Sequence, residues 1–335
     1  MKKIIRSLCW FAENPSVMMV SNQLDEIKRK LERNGFLIQT KRVCFNKARI
    51  SELRQWKSLE LLSVGTLSLE SLTEQFVDFL QADNVSLNLD LTDGIKPDHV
   101  EALLRIIREA PAKTFSFTFV FHNRRSSPFF PSATYDRPGL AVGLQSTDLS
   151  EGCTDLSEWL SAMRAVWSEL CNILGNDMHF LGIDSSVAPL LSGASSLAHF
   201  VKSIYGNFSK AVTTDFFVRI TEFISMHNPK PVGLCGLMFP CLEDFELADE
   251  YEEGQFSIER NVFLALHSGL GLDTYPIGVD ENPDRIFDVL RLLQKLSAKY
   301  QKPLSARFIS DGKARIGDLS DFQNQFLKDV RIRPL

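Results

Sequence analysis

An α/β fold is what this sequence predicts, and three observations predict it. Apolar segments of strand length alternate along the chain with amphipathic segments of helical period. Turn and cap residues fall at the junctions, Gly35 after the first helical stripe among them. Hydrophobic residues are 44% and charged residues 24% of 335 positions, the balance of a chain that buries a substantial core.

Residues 4–11 read as a buried first strand. A helix follows over 17–34, capped by Asn14 or Ser16, with Val20, Leu24, Ile27 and Leu31 on one face. Residues 36–45 alternate as a strand, and 50–79 read as a helix-rich segment. The run V-S-L-N-L-D-L within 84–91 is a strand buried on one face, 97–109 a helix and 114–121 another strand. Residues 123–155, rich in Ser, Pro and Gly, form a long loop relieved only by the strand-like L-A-V-G-L-Q-S. Helices are expected over 156–174, 197–205, 213–226, 257–268 and 284–300. Strands are expected in M-H-F-L-G-I-D, P-V-G-L-C-G-L-M-F-P and K-P-L-S-A-R-F, and an acidic turn over 246–253. No repeat of 20 to 50 residues and no linker is visible, so one domain over 1–335 is expected.

The net charge of −5 argues against a nucleic-acid footprint. No segment approaches the roughly 18 to 20 consecutive apolar residues that span a bilayer. The basic start M-K-K-I-I-R-S-L-C-W-F-A-E is interrupted by Arg6 and Ser7, so it reads as a strand and not as a signal peptide. The six cysteines lie apart without a C-x-x-C pair and read as reduced thiols of a cytoplasmic protein. Twenty-five Phe against five Tyr implies dry aromatic packing.

Three segments deliver small and acidic residues after an apolar stretch: G-I-D-S-S-V-A-P, G-L-C-G-L-M-F-P-C-L-E-D and G-L-D-T-Y-P. Strand ends are where α/β folds place ligand groups. Asp184, Glu243 and Asp273 are therefore the candidate catalytic carboxylates. Ser185, Ser186 and Asp244 stand beside them, His122 follows a strand, and Lys302 and Arg307 are candidate anion clamps. Each has a plainer alternative. Asp184 reads equally as a helix N-cap. Glu243 and Asp244 could belong to a solvated acidic face, Lys302 could cover a helix end, and His122 could be a satisfied loop histidine. Arg307, alone in an apolar strand, needs a buried carboxylate or a ligand as its partner. Zinc spacing, a G-x-S-x-G elbow, G-x-G-x-x-G and a Walker A loop are all absent from the sequence.

With these segments in order, the chain resembles the domain-of-unknown-function family 711. The resemblance rests on I-R-S-L, F-F-P-S-A-T-Y followed by A-V-G-L, F-L-G-I-D-S-S-V-A-P, G-L-M-F-P-C-L-E-D, G-L-D-T-Y-P-I, K-P-L-S-A-R-F and I-G-D. It implies a pyruvate-formate-lyase-like α/β barrel of ten strands. Relatives in that fold include glycyl-radical enzymes, but this chain ends K-D-V-R-I-R-P-L without an R-V-x-G-type loop, and its late Gly312 and Gly317 sit among charged residues. Glycyl-radical chemistry is therefore not expected. The chain departs from the family at K-A-V-T-T-D-F-F, where a glycine-rich turn is expected, so Thr213 and Thr214 receive no role.

The function expected is that of an enzyme with a carboxylate-rich polar site for a small anionic metabolite. Asp184, Glu243 and Asp273 would act as acid/base groups or hold a divalent cation, Mg or Ca. A non-catalytic small-molecule binder is one alternative. A structural subunit, in a homodimer or against another partner through 123–155, is the other.

Overall fold

In the computed structural model the described residues are 2–13, 17–46, 48–53, 61–130 and 134–335. The proposed caps Asn14 and Ser16, and Pro131, Ser132 and Ala133 of the F-F-P-S-A-T-Y motif, lie outside them.

Ten strands form one sheet: β1 (Lys3–Phe11), β2 (Phe36–Ile38), β3 (Lys41–Cys44), β4 (Leu61–Leu67), β5 (Val85–Asp90), β6 (Phe117–Phe121), β7 (Gly139–Leu144), β8 (Phe180–Asp184), β9 (Gly271–Pro276) and β10 (Leu304–Ile309). Their order is β8-β7-β1-β3-β4-β5-β6-β10-β9, with β2 beside β1. Neighbours are parallel except at β1–β7 and β6–β10. Those two antiparallel seams join a parallel block, β1 through β6, to strands running the other way. Helices such as Pro97–Glu109, Leu156–Leu174 and Pro283–Tyr300 supply the crossovers that parallel neighbours require.

The ladder is open, with β8 and β9 at its edges. The stretch 231–240, expected as a strand, is not one. It touches both edges through isolated parallel bridges, Ile183 to Pro231 and Val187 to Leu237 on one side, Leu237 to Gly269 and Pro240 to Asp273 on the other. Gly233 and Cys235 in its middle take positive φ, which breaks a regular ladder.

Several expected elements differ. The helix-rich reading of 50–79 misses β4, which lies between β3 and β5; its centre, 62–65, is buried at successive positions and so on both faces, which leaves no polar alternation to mark a strand. The single strand 36–45 is two, β2 and β3, which pair with β1 in one register interrupted opposite Arg6. Residues 111–116 form a 3-10 turn ahead of β6, and the acidic turn is a helix, Phe245–Glu252. The segment G-L-D-T-Y-P is itself strand β9 and not the loop beyond a strand. Among the described residues, no helix is long and apolar enough to cross a membrane.

Candidate functional site

Two sheet irregularities aim charged side chains into one cavity. Between β10 and β9 the register runs Ala306–Leu272, then Phe308–Tyr275, so Asp273 and Thr274 together face Arg307. This is a β-bulge, and Thr274 carries it at φ 40°, a conformation that costs a β-branched residue energy. Between β1 and β7 the register passes from Ile5–Leu144 to Ser7–Gly143, leaving Arg6 as the extra residue. Bulges re-aim side chains, and Arg6, Ser7, Asp273 and Arg307 all line the same cavity of about 360 Å³.

Arg307 is the hub. Its Nε donates to Asp273 Oδ1 at 2.7 Å and its Nη2 to Glu243 Oε2 at 2.6 Å. Nη1 donates to the Phe115 carbonyl at 3.3 Å, and the rings of Phe115 and Phe130 each lie 5.2 Å from the guanidinium. Glu243 is delivered from the far edge of the sheet: the Cys241 N–H donates to the Asp273 carbonyl at 2.9 Å and the Leu242 N–H to Thr274 Oγ1 at 3.3 Å. Burial disfavours the Arg307 charge, but Asp273 and Glu243 more than offset this and hold its pKa above the ordinary value. Burial pushes the Glu243 carboxyl up, and Asp273 pushes the same way, against the pull of Arg307 and Arg6.

The anion clamp expected of Arg307 therefore has its donors committed to the protein. Two other arginines have not. Arg6 Nη2 stands 3.9 Å from Glu243 Oε1, and its Nη1 reaches only Gln39 Oε1, at 3.5 Å. Arg42, on β3, lines the cavity with Nε and Nη1 buried and without a hydrogen-bond partner. Burial lowers the Arg6 pKa, Glu243 opposes this, and the guanidinium groups of Arg42 and Arg307 add to it. Sequence reasoning passed over both residues. Arg6 carried the signal that singled out Arg307, a lone arginine among apolar strand residues, whereas Arg42 stands beside Lys41.

The remaining candidates lie elsewhere. Asp184 is buried and accepts five hydrogen bonds: Ser127 Oγ at 2.5 Å, Ser186 Oγ at 2.6 Å, and the N–H groups of Leu234, Ser186 and Cys235 at 2.9 to 3.0 Å. Ser185 Oγ accepts from Asn228 Nδ2 at 2.8 Å. Asp244 caps Phe245–Glu252 through the Leu247 N–H, and it also accepts from Ser196 Oγ and the Leu197 and Ala198 N–H groups at the start of Leu197–Tyr205. Lys302 Nζ donates to the Ala265 carbonyl at 2.7 Å, covering the end of helix Ile258–His267. His122 Nδ1 pairs with Ser297 Oγ at 2.9 Å. Asp184, Glu243 and Asp273 thus do not converge as a shared cation site, and the described residues include no group of three or more His, Cys, Asp or Glu placed to hold a metal ion. The cysteines are free, with Cys9 and Cys44 Sγ atoms 3.4 Å apart.

A family model described as uncharacterised ACR (DUF711) matches residues 72–323, well over half of the chain. The chain belongs to this family. A UPF0210 protein of Pyrobaculum arsenaticum is 32% identical over 89 residues, 27% of this chain and 20% of the relative, so the similarity spans a fifth of that protein's length. The DUF711 match contains Glu243, Asp273 and Arg307, and Arg6 and Arg42 precede it.

Proposed function

We propose that this DUF711 protein is an enzyme acting on a small anionic metabolite in the cavity of Arg307, with Glu243 as the group that gives or takes a proton. The observation that carries this reading is the placement of Glu243. One of its oxygens is fixed by Arg307 at 2.6 Å, while the other faces the cavity with only Arg6 near it, at 3.9 Å. A carboxyl raised by burial, oriented by one partner and open on its other oxygen, suits proton transfer. Asp273 and Arg307 are positioning residues in this reading. They fix the angle of Glu243 and hold a counter-charge whichever protonation state it adopts.

An unidentified substrate is no obstacle to the test. Purified protein is incubated with a mixed metabolite extract, and mass spectrometry follows which anions are consumed. Wild-type protein is expected to deplete at least one of them, and Glu243→Gln to bind the same compound without depleting it. Enrichment of a ligand with no product from wild type would leave a binding protein. Turnover by Glu243→Gln at the wild-type rate would remove Glu243 from the chemistry.

A further inference from the structure

The cavity has an unequal charge distribution that the Arg307 cluster does not use. Inside it, three guanidinium groups, Arg6, Arg42 and Arg307, face two carboxylates, Glu243 and Asp273. Asp83 also lines it, but this residue is exposed and lies within electrostatic reach of Lys113. Arg307 takes both inner carboxylates at hydrogen-bond distance, which leaves Arg6 a looser pairing with Glu243 at 3.9 Å and Arg42 with Nε and Nη1 unbonded. A guanidinium with buried, unmade hydrogen bonds destabilises a fold, and such a group is kept where something else offsets the loss. The rest of the wall is of another kind. Phe115, Phe129, Phe130 and Met238 line the same space.

The aromatic wall is built with care. Ser7 Oγ donates to the Pro128 carbonyl at 2.7 Å, and Ser127 Oγ donates to Asp184 at 2.5 Å, pinning the turn before Phe129 from two sides. Gly143 on β7 leaves room for the Phe129 ring, because a Cβ there would lie 2.5 Å from it. The volume of about 360 Å³ is at the low end for small-molecule pockets.

We infer that Arg6 and Arg42 form an oxyanion subsite, and that the ligand is a small molecule with a carboxylate or phosphate head on an aromatic or similarly flat apolar body. The head takes the guanidinium groups of Arg42 and Arg6, which both line the cavity, a match to the planar fork of guanidinium donors. The body lies against Phe115, Phe129 and Phe130, and the head, held at Arg6, is the end beside Glu243. The inference rests on the cavity being the ligand site, as proposed above, but not on Glu243 transferring a proton.

Calorimetric titration of the full chain with benzoate, phenyl phosphate, benzamide, acetate and inorganic phosphate tests it. At least one of the two aromatic anions is expected to bind, and the stronger of the two identifies the head. Uncharged benzamide and the bare anions are expected to bind at least about tenfold more weakly. Arg42→Gln is expected to lose about tenfold or more for the aromatic anion, while the ligand-free protein melts at the wild-type temperature or above it, since an unpaired buried charge has gone. A drop in the melting temperature of ligand-free Arg42→Gln with unchanged anion affinity would make Arg42 structural and overturn the subsite. Equal binding of benzamide or of bare phosphate would overturn the ligand class. Failure of both aromatic anions to bind wild type would overturn the whole inference. Metabolite turnover by an Arg42→Gln protein with unaltered KM would sink the subsite and leave the enzyme reading intact. Arginine-dependent binding without turnover of any metabolite would do the reverse.

Discussion

Asp184 and Glu243 are both buried carboxylates on segments that border the gap between β8 and β9, and their surroundings could hardly differ more. Among the described residues Asp184 meets five neutral N–H and O–H donors and no charged one. Those donors satisfy a carboxylate as a turn or a cap does, and they tie three segments together: β8, the turn before Phe129 and the start of 233–236. Glu243 meets the Arg307 guanidinium on one oxygen at 2.6 Å, and on the other the cavity, with Arg6 no closer than 3.9 Å. Saturation by backbone and hydroxyl donors marks an anchor, whereas an incomplete shell beside a cavity marks a group available for chemistry. Both residues follow the same pattern of apolar stretch, small residues and acid, so residue type alone could not separate them.

The largest effect that would break the contrast is on stability. Asp184→Ala orphans several buried donors at once, and a loss of about 5 kcal/mol is expected by denaturant titration at constant m-value. A loss under about 1 kcal/mol would mean that Asp184 is not the anchor. Arg307→Met is next, at about 3 kcal/mol near neutral pH, because buried Glu243 and half-buried Asp273 lose their closest counter-charge. Its sign with pH is set by Glu243, whose carboxyl burial pushes up. Protonation of Glu243 removes its uncompensated charge, so the gap to wild type should narrow as pH falls. A gap that widens toward acid would contradict the pairing.

Smaller effects sharpen the functional side. Gly143→Ala pushes its new methyl against Phe129, and the ring can yield only by moving; anion affinity should fall by about tenfold, at a stability cost of about 1 to 3 kcal/mol. Glu243 faces Arg307, Asp273 and Arg6, and burial raises its pKa. A raised acid stabilises the fold while protonated and loses that contribution as pH rises through its folded pKa. Protonation also removes a negative charge from the cavity. Affinity for an anion that stays ionised should therefore rise a few-fold as pH falls, and Glu243→Gln should flatten that dependence. A wild-type affinity that drops toward acid would place the titrating group elsewhere.

How much of this was legible in the sequence follows from which residues stood out against their neighbours. The α/β order and helices 97–109, 156–174 and 197–205 could be read because period and caps agreed there. Arg307 could be read because L-S-A-R-F is otherwise apolar. Arg6 sits in an equally apolar strand, but its position near the N-terminus made it look like the interruption of a leader. Arg42 follows Lys41 in an alternating strand, where a basic pair reads as a solvated face. Neither bulge could be read, because a bulge is a mismatch between two strands distant in sequence. Strand β4 was lost to its leucines, which suit a helix as well as a doubly buried strand.

Lys302 offers the finest test, since it tells a helix cover from a site lysine. Its half-buried amine donates to the Ala265 carbonyl, and burial pushes its pKa down to about 8. A base with a depressed folded pKa carries a penalty while charged. The folded protein releases the proton near pH 8, while the unfolded chain holds it up to the ordinary lysine range. Between those limits the unfolded state binds more protons, so this residue makes stability rise with pH. The melting temperature of wild type relative to Lys302→Met should therefore climb from about pH 8 toward pH 10, with aromatic anion affinity equal in the two proteins throughout. A Lys302→Met protein that loses anion affinity while its stability keeps the wild-type pH profile would return Lys302 to the site, and the division between anchor and cavity would have to be redrawn around helix Ile258–His267.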